Sequence, residues 1–200
     1  MILPVAIALS IQTVPLAADQ HAAATTCIAV LTSQDSPADL DWFVSFNYLG
    51  LVAASEKPDR SVESEIANAV NAASTEKSVL TNRRGKLLKA CRARFPLAWS
   101  SSATLPQDDF ERRFLCSTIS GSYEGLLDAI AEKFDVSAEL TRVRSKSVHF
   151  RALATSADSA KHGLRSQAKR YAAVQDVFRK SVVYGNARAL HRACEAAFPS

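Results

Sequence analysis

The chain has 200 residues, a formal net charge of +4 and a hydrophobic content of 48%. That length suits one domain or two small ones, and that apolar content excludes disorder as the default state. Six glycines in all leave little for a glycine-rich phosphate cradle, and no G-x-S-x-G, H-E-x-x-H or P-loop pattern occurs.

The opening run MILPVAIALSIQTVPLA is apolar, with Asp19 as its first charged side chain. A short apolar core followed by small residues reads as a cleavable export leader. Ala22, Ala23 and Ala24 supply an A-x-A-like site, which places the mature start near Thr25. The leader carries no Lys or Arg before its apolar core. Retention as a membrane anchor is the alternative, although Pro4, Gln12 and Pro15 interrupt the run and it is short for a span of about 20 residues. Ala24-Thr25-Thr26 ahead of Cys27 makes a poor lipidation signal. No later stretch is apolar for long enough to cross a bilayer. Trp42 to Ala54 contains Ser45, Asn47 and Gly50 and reads as a buried helix.

Cys27, Cys91, Cys116 and Cys194 all follow the expected cleavage point, and none lies in a C-x-x-C pair, which disfavours zinc and thioredoxin-like chemistry. An even count in an oxidising compartment predicts two structural disulfides with three possible pairings. A repeat selects among them. Leu87 to Pro96 and Leu190 to Pro199 both read L-x-x-A-C-x-x-x-F-P. Leu, Cys and Phe at i, i+4 and i+8 share a helix face, and Pro ends the helix. Each closing Cys has one opening Cys before it, so an internal duplication predicts Cys27–Cys91 and Cys116–Cys194. Tyr48-Leu49-Gly50-Leu51 and Tyr123-Glu124-Gly125-Leu126 give a weaker echo. Charge gives another: residues 25–82, 83–94, 95–136 and 137–200 sum to −5, +6, −4 and +8. High alanine use points to a bacterial source.

In chain order, Ser36-Pro37 with Asp39 predicts a helix start, and apolar residues around most of the circumference to about Ser55 make that helix central in a bundle. Ser61 caps a second helix with Val62, Ile66, Ala69, Val70 and Ala73 at helical spacing. Helical character resumes through Leu80, Leu87, Cys91 and Phe95, with a break near Asn82 or Gly85. Residues 97–106 read as a linker. The second unit opens with Asp108, Asp109 and Glu111 ahead of Phe110, Phe114, Leu126, Leu127, Ile130 and Phe134. Ser137 caps the next helix, carrying Leu140, Val143, Ser147, Phe150 and Ala154; residues 147–153 are the one strand alternative. A further helix carries Ala160, Leu164, Tyr171, Val174 and Phe178, and the last carries Val183, Ala187, Leu190, Cys194 and Phe198. The expected architecture is all-α: a leader over 1–24, helical unit one over 25–96, and helical unit two over 107–200.

His191 and Glu195 flank Cys194 at i,i+4. A metal or acid–base pair is one reading; an exposed ion pair beside a disulfide is the plainer one. Glu124, Asp128 and Glu132 form an acidic stripe, read as a solvated face rather than a cation site. Basic clusters are the main functional signal: Arg83, Arg84, Lys86, Lys89, Arg92 and Arg94 close unit one. Arg142, Arg144, Lys146 and Arg151, then Lys161, Arg165, Lys169 and Arg170, crowd unit two. Such surfaces attract anions such as lipid head groups or lipopolysaccharide. The competing reading pairs them with the acidic faces of the same repeat.

Phe114-Leu115-Cys116…Gly121…Gly125, with a closing helix ending Ala-Phe-Pro, resembles the Rap1a/Tai-type immunity proteins. The resemblance covers fewer than half the residues of unit two, and no cysteine follows the final Phe-Pro directly. It implies a small, helical, disulfide-bonded periplasmic protein that neutralises a delivered toxin, and it carries over no binding residue. From the residues themselves, the expectation is a non-enzymatic exported protein, without cofactor or metal, that binds an unidentified protein or anionic envelope component. Export argues against nucleic acid as the partner. An enzyme acting on an anionic envelope substrate is the other alternative.

Overall fold

The computed structural model describes residues 15–33, 39–76 and 83–199. Among them the chain is all-helical, with no strand, and residues 147–152 lie inside a helix.

α1 (Gln20–Thr32) is capped by the Asp19 carboxylate, which accepts from Ala22 N, and its residues from Ala23 to Leu31 are almost all buried. This helix has no counterpart in the expected leader over residues 1–24. α2 (Leu40–Ser55) is capped by Asp39. Asp39 thus supplies the cap, and Ser36 and Pro37 lie outside the described residues. α2 packs on α1 and on α3 (Val62–Glu76). Ser61 caps α3 as expected, accepting from Ser64 N at 3.2 Å. Leu80 and Asn82 lie outside the described residues, and α4 (Arg84–Arg94) follows. Cys27 on α1 bonds Cys91 on α4.

Residues 97–106 are tied to later elements of the chain. Pro96–Trp99 form a 3-10 turn. Asn186 then ties the segment down, donating to the carbonyls of Leu97 at 2.9 Å and Ser100 at 2.7 Å. Thr104 N donates to Tyr184 O at 3.0 Å, and Pro106 is buried.

α5 (Asp109–Ile130) is capped by Asp108. α6 (Ser137–Ala152) packs along α5 with Leu140, Val143, Ser147 and Phe150 buried. Ser137 does not cap it. The cap position is Val136, and the Ser137 hydroxyl donates to Asp135. The single helix expected through Ala160 and Phe178 is two: α7 (Ser156–Lys161) and α8 (Gln167–Ser181). Gly163, at φ +80°, turns the chain between them in a conformation that favours glycine. Tyr171, expected in the core, is 54% exposed. α9 (Ala187–Ala197) closes the chain, and Cys194 on it bonds Cys116 on α5. Val183 precedes α9 and is 65% exposed.

Both predicted disulfides are therefore present. Two apolar cores adjoin. One gathers α1 to α4 around Ile28, Leu49 and Val52; the other gathers α5, α6 and α9 around Ile119, Leu127 and Leu190. α2 serves both, since Tyr48 and Leu49 lie in the first and Val44 in the second. Polar ties also join α8 and Val182, the residue after it, to α2 and α3. Tyr48 Oη donates to Val182 O at 2.7 Å. Gln175 accepts from Val62 N at 2.7 Å and donates to Glu63 at 3.0 Å.

Candidate functional site

α4 has the sequence RGKLLKACRAR. Leu87 and Cys91, four apart, turn inward and are buried. Arg83, Lys86, Lys89, Arg92 and Arg94 are exposed and Arg84 is half-buried. Among the described residues none of these six cations has an ion pair. Sequence alone explains part of this, because no Asp or Glu occurs from Lys77 to Gln107. Arg92 lies over the Trp99 ring at 5.8 Å, and Arg94 donates to Ala18 O at 3.5 Å.

At the start of the helix this charge runs against local stability, whereas Arg92 and Arg94 in the last turn suit the dipole. Arg83 occupies the cap position with no side-chain cap bond, and Arg84 and Lys86 fall in the first turn. A helix N-terminus carries about half a positive charge, so each cation there costs roughly 0.3–1 kcal/mol where an acid would contribute. Residues that oppose their own helix are expected where a function requires them.

The other predicted cations are placed differently. On α6, Arg142 bridges Glu139 at 2.9 Å and Glu195. Arg144 pairs with Asp128, and Arg151 with Glu124 at 3.1 Å. Two members of the acidic stripe on α5 are thus counter-charges for α6, while Glu132 stays exposed. Lys161 pairs with Asp158 at 3.6 Å, and Arg170 donates to Leu164 O at 3.1 Å. Arg165 and Lys169 are exposed, the latter giving its backbone N–H to the Ser166 cap. The predicted cations do not form one surface: α4 packs on α1 and the 3-10 turn, whereas α6 packs on α5.

His191 is not the exposed partner of Glu195. It is 0% exposed, with Nδ1 3.1 Å from Ser120 Oγ and Nε2 3.5 Å from Glu195. Ser, His and Glu in that order resemble an acyl-transfer triad, but Ser120 and His191 are both buried and neither lines a described cavity. A nucleophile must meet its substrate, so this group is a core network. It continues through Tyr123, whose hydroxyl donates to Glu139 at 2.8 Å, and through Arg188, which reaches Glu139 and Asp41. Burial pulls the Glu139 carboxyl upward, but hydrogen bonds from Arg142 and Tyr123 and the charges of Arg142 and Arg188 outweigh it and hold its pKa down to about 2. Burial, followed by Glu139, raises that of Tyr123. Burial is also the chief cause lowering His191. Sequence spacing could not reveal this network, because Ser120 and His191 are 71 residues apart.

A cavity of about 400 Å³ opens between the start of α5 and α7–α8, lined by Phe110, Phe114, His162, Leu164, Lys180 and Tyr184 among others. The His162 ring stacks on Phe110 at 3.6 Å and closes one side. Among the described residues no group of His, Cys, Asp and Glu could hold a metal ion, and no helix is long and apolar enough to cross a membrane. No family model, no curated protein and no solved structure matches the chain.

Proposed function

We propose that this is an exported, non-enzymatic binding protein whose partner surface is the cationic face of α4. One observation carries the reading: among the described residues, six cations within twelve positions stand without an ion pair, three of them where their own helix dipole disfavours them. Long-range attraction of this kind steers an anionic partner and sets its orientation. The partner is an acidic envelope protein or an anionic envelope component, and the two disulfides fit an oxidising compartment outside the cytoplasm.

The matching backbone at the ends of α4 and α9 supports an origin of the two units by duplication. Phe95 and Phe198 follow these helices with φ/ψ of −125°/62° and −130°/72°. Each donates its N–H to the carbonyl of the disulfide cysteine, at 2.8 and 2.9 Å. A second reading, an immunity or inhibitor protein of the Rap1a/Tai type, draws on Cys116, Cys194 and the Ala-Phe-Pro end lying in one closed unit.

The test is a photo-cross-linking side chain at Lys89 in intact cells, with Arg144 as control. One defined adduct is expected from Lys89 alone, lost when Arg83, Arg84 and Lys86 become Glu. Adducts from Arg144 only, or from both alike, remove the α4 reading. A stoichiometric toxin or hydrolase in the adduct selects the inhibitor reading. Turnover of an anionic envelope polymer that depends on these cations selects an enzyme instead.

A further inference from the structure

The mature start expected at Thr25 would cut through α1. Six residues, Asp19 to Ala24, would leave with the leader. Asp19 supplies the helix cap, its carboxylate accepting from Ala22 N at 2.7 Å. His21 Nδ1 donates to Ala53 O at 3.0 Å and so ties α1 to α2. The Thr25 hydroxyl donates back to His21 O at 2.9 Å. Ala23 and Ala24 are both 0% exposed inside the first core. Cys27 would be left three residues into a frayed end, holding a disulfide that must anchor α4.

Directly upstream the picture changes. Residues 15–17 have no regular structure, and Ala17, Ala18 and Asp19 are exposed. Leader removal needs a small side chain ahead of the scissile bond, and a cut in this exposed, irregular segment leaves α1 whole. Cutting after Ala17 would put Pro15, with its fixed φ, at the third position before the bond. Cutting after Ala18 puts Leu16 there instead and keeps the helix cap.

From this geometry we infer that the leader is removed by hydrolysis of the Ala18–Asp19 peptide bond. Water adds across the C–N bond, leaving a carboxylate on Ala18 and a free α-amine on Asp19. The new amine sits at the positive end of α1, where the Asp19 carboxylate beside it offsets the charge. Removal of Pro15–Ala18 also takes away one wall of the groove they form with Ala90, Ala93 and Arg94, so the flank of α4 joins the cationic face. The inference rests on the export reading above.

The experiment is intact mass and N-terminal sequencing of the protein recovered after export of the full chain, with an Ala18→Tyr variant alongside. Asp19 as the first residue is expected, with unprocessed precursor accumulating for the variant. Ala18 is exposed, so the variant leaves the fold in place. Any other new N-terminus, Thr25 included, overturns the cleavage point while leaving export standing, as does normal processing of Ala18→Tyr. An intact Met1 with four reduced thiols removes the cleavage point and export together. Chains begun at Asp19 and at Thr25 supply an independent readout. The Thr25 form is expected to melt roughly 5 °C lower or more, and equal midpoints count against the inference.

Discussion

α4 and α9 are both eleven residues long, each holds its disulfide cysteine at the eighth position, and each ends in the same Phe-Pro geometry. Their surroundings differ. α9 starts on a built cap, with Asn186 accepting from Ala189 N at 3.0 Å, and its Arg188 and Glu195 are absorbed into ion pairs. α4 starts on Arg83 with no side-chain cap bond, and five of its six cations are exposed. One backbone frame therefore serves two ends: α9 is optimised for its neighbours in the fold, and α4 has been left unoptimised for them. Charge that has no ion pair among the described residues is charge available to something else.

The largest test of that comparison is to remove each staple. Closing loops 64 and 78 residues apart in sequence restricts the unfolded chain by about 4 kcal/mol each in the chain-entropy model. Cys27→Ala with Cys91→Ala, and Cys116→Ala with Cys194→Ala, should lower urea-unfolding stability by similar amounts. A gap of more than about 2 kcal/mol between the pairs would break the equivalence of the frames.

Next come the caps. Asn186→Ala strips α9 of its cap and leaves buried carbonyls unpaired, an expected loss of about 2–3 kcal/mol. Gly185→Ala adds to this from the same corner, because φ is +155° and a Cβ there would lie 2.7 Å from that of Ala103. Arg83→Ala at the matching position before α4 should change stability by under about 0.5 kcal/mol.

The pH profile separates the helices further. His191 has a lowered folded pKa, so the unfolded chain takes up a proton first. Stability is fully present above about 6.5 and falls as pH drops below it. The depressed Glu139 adds a second loss from the unfolded value of 4.5 down toward 2, each proton contributing a slope of at most about 1.4 kcal/mol per pH unit. Replacing His191 with Gln should flatten the first segment in pH-dependent denaturation, and a profile left unchanged would remove His191 as its source. Substitutions on α4 should leave the profile alone. One small effect is a gain: Arg84→Glu should raise stability by roughly 0.3–1 kcal/mol through the helix dipole, while lowering partner binding.

Much of the fold was legible because periodicity and punctuation agree over long stretches. The buried stripe Leu140, Val143, Ser147 and Phe150 on α6 follows from spacing alone, and the doubled L-x-x-A-C-x-x-x-F-P selected the disulfide pairing. α1 was missed because alanines suit a peptidase as well as a close helix contact, and composition does not say which applies. Tyr171 and Val183 looked like core residues because hydrophobic type was taken for burial, whereas the Gly163 turn starts a new helix with its own face. His191 shows the limit for sites: spacing found Glu195, but only the packing of α5 against α9 supplies Ser120, and with it the burial. The cavity beside Phe110 and His162 has no local signature at all, since its walls come from α5, α8 and the segments that flank them.

The placement of α2 has a bearing on how the molecule would respond to damage. Its faces are shared between two cores, with Val44 in one and Tyr48 and Leu49 in the other, and Tyr48 reaches across to Val182. A protease that nicked the exposed Ser101–Ser102 strip would break the covalent path between the halves without parting them. Each fragment would still be closed by its own disulfide, and each would hold half of an interface the other completes. The particle would travel as one body until denaturant, rather than cleavage, separated it.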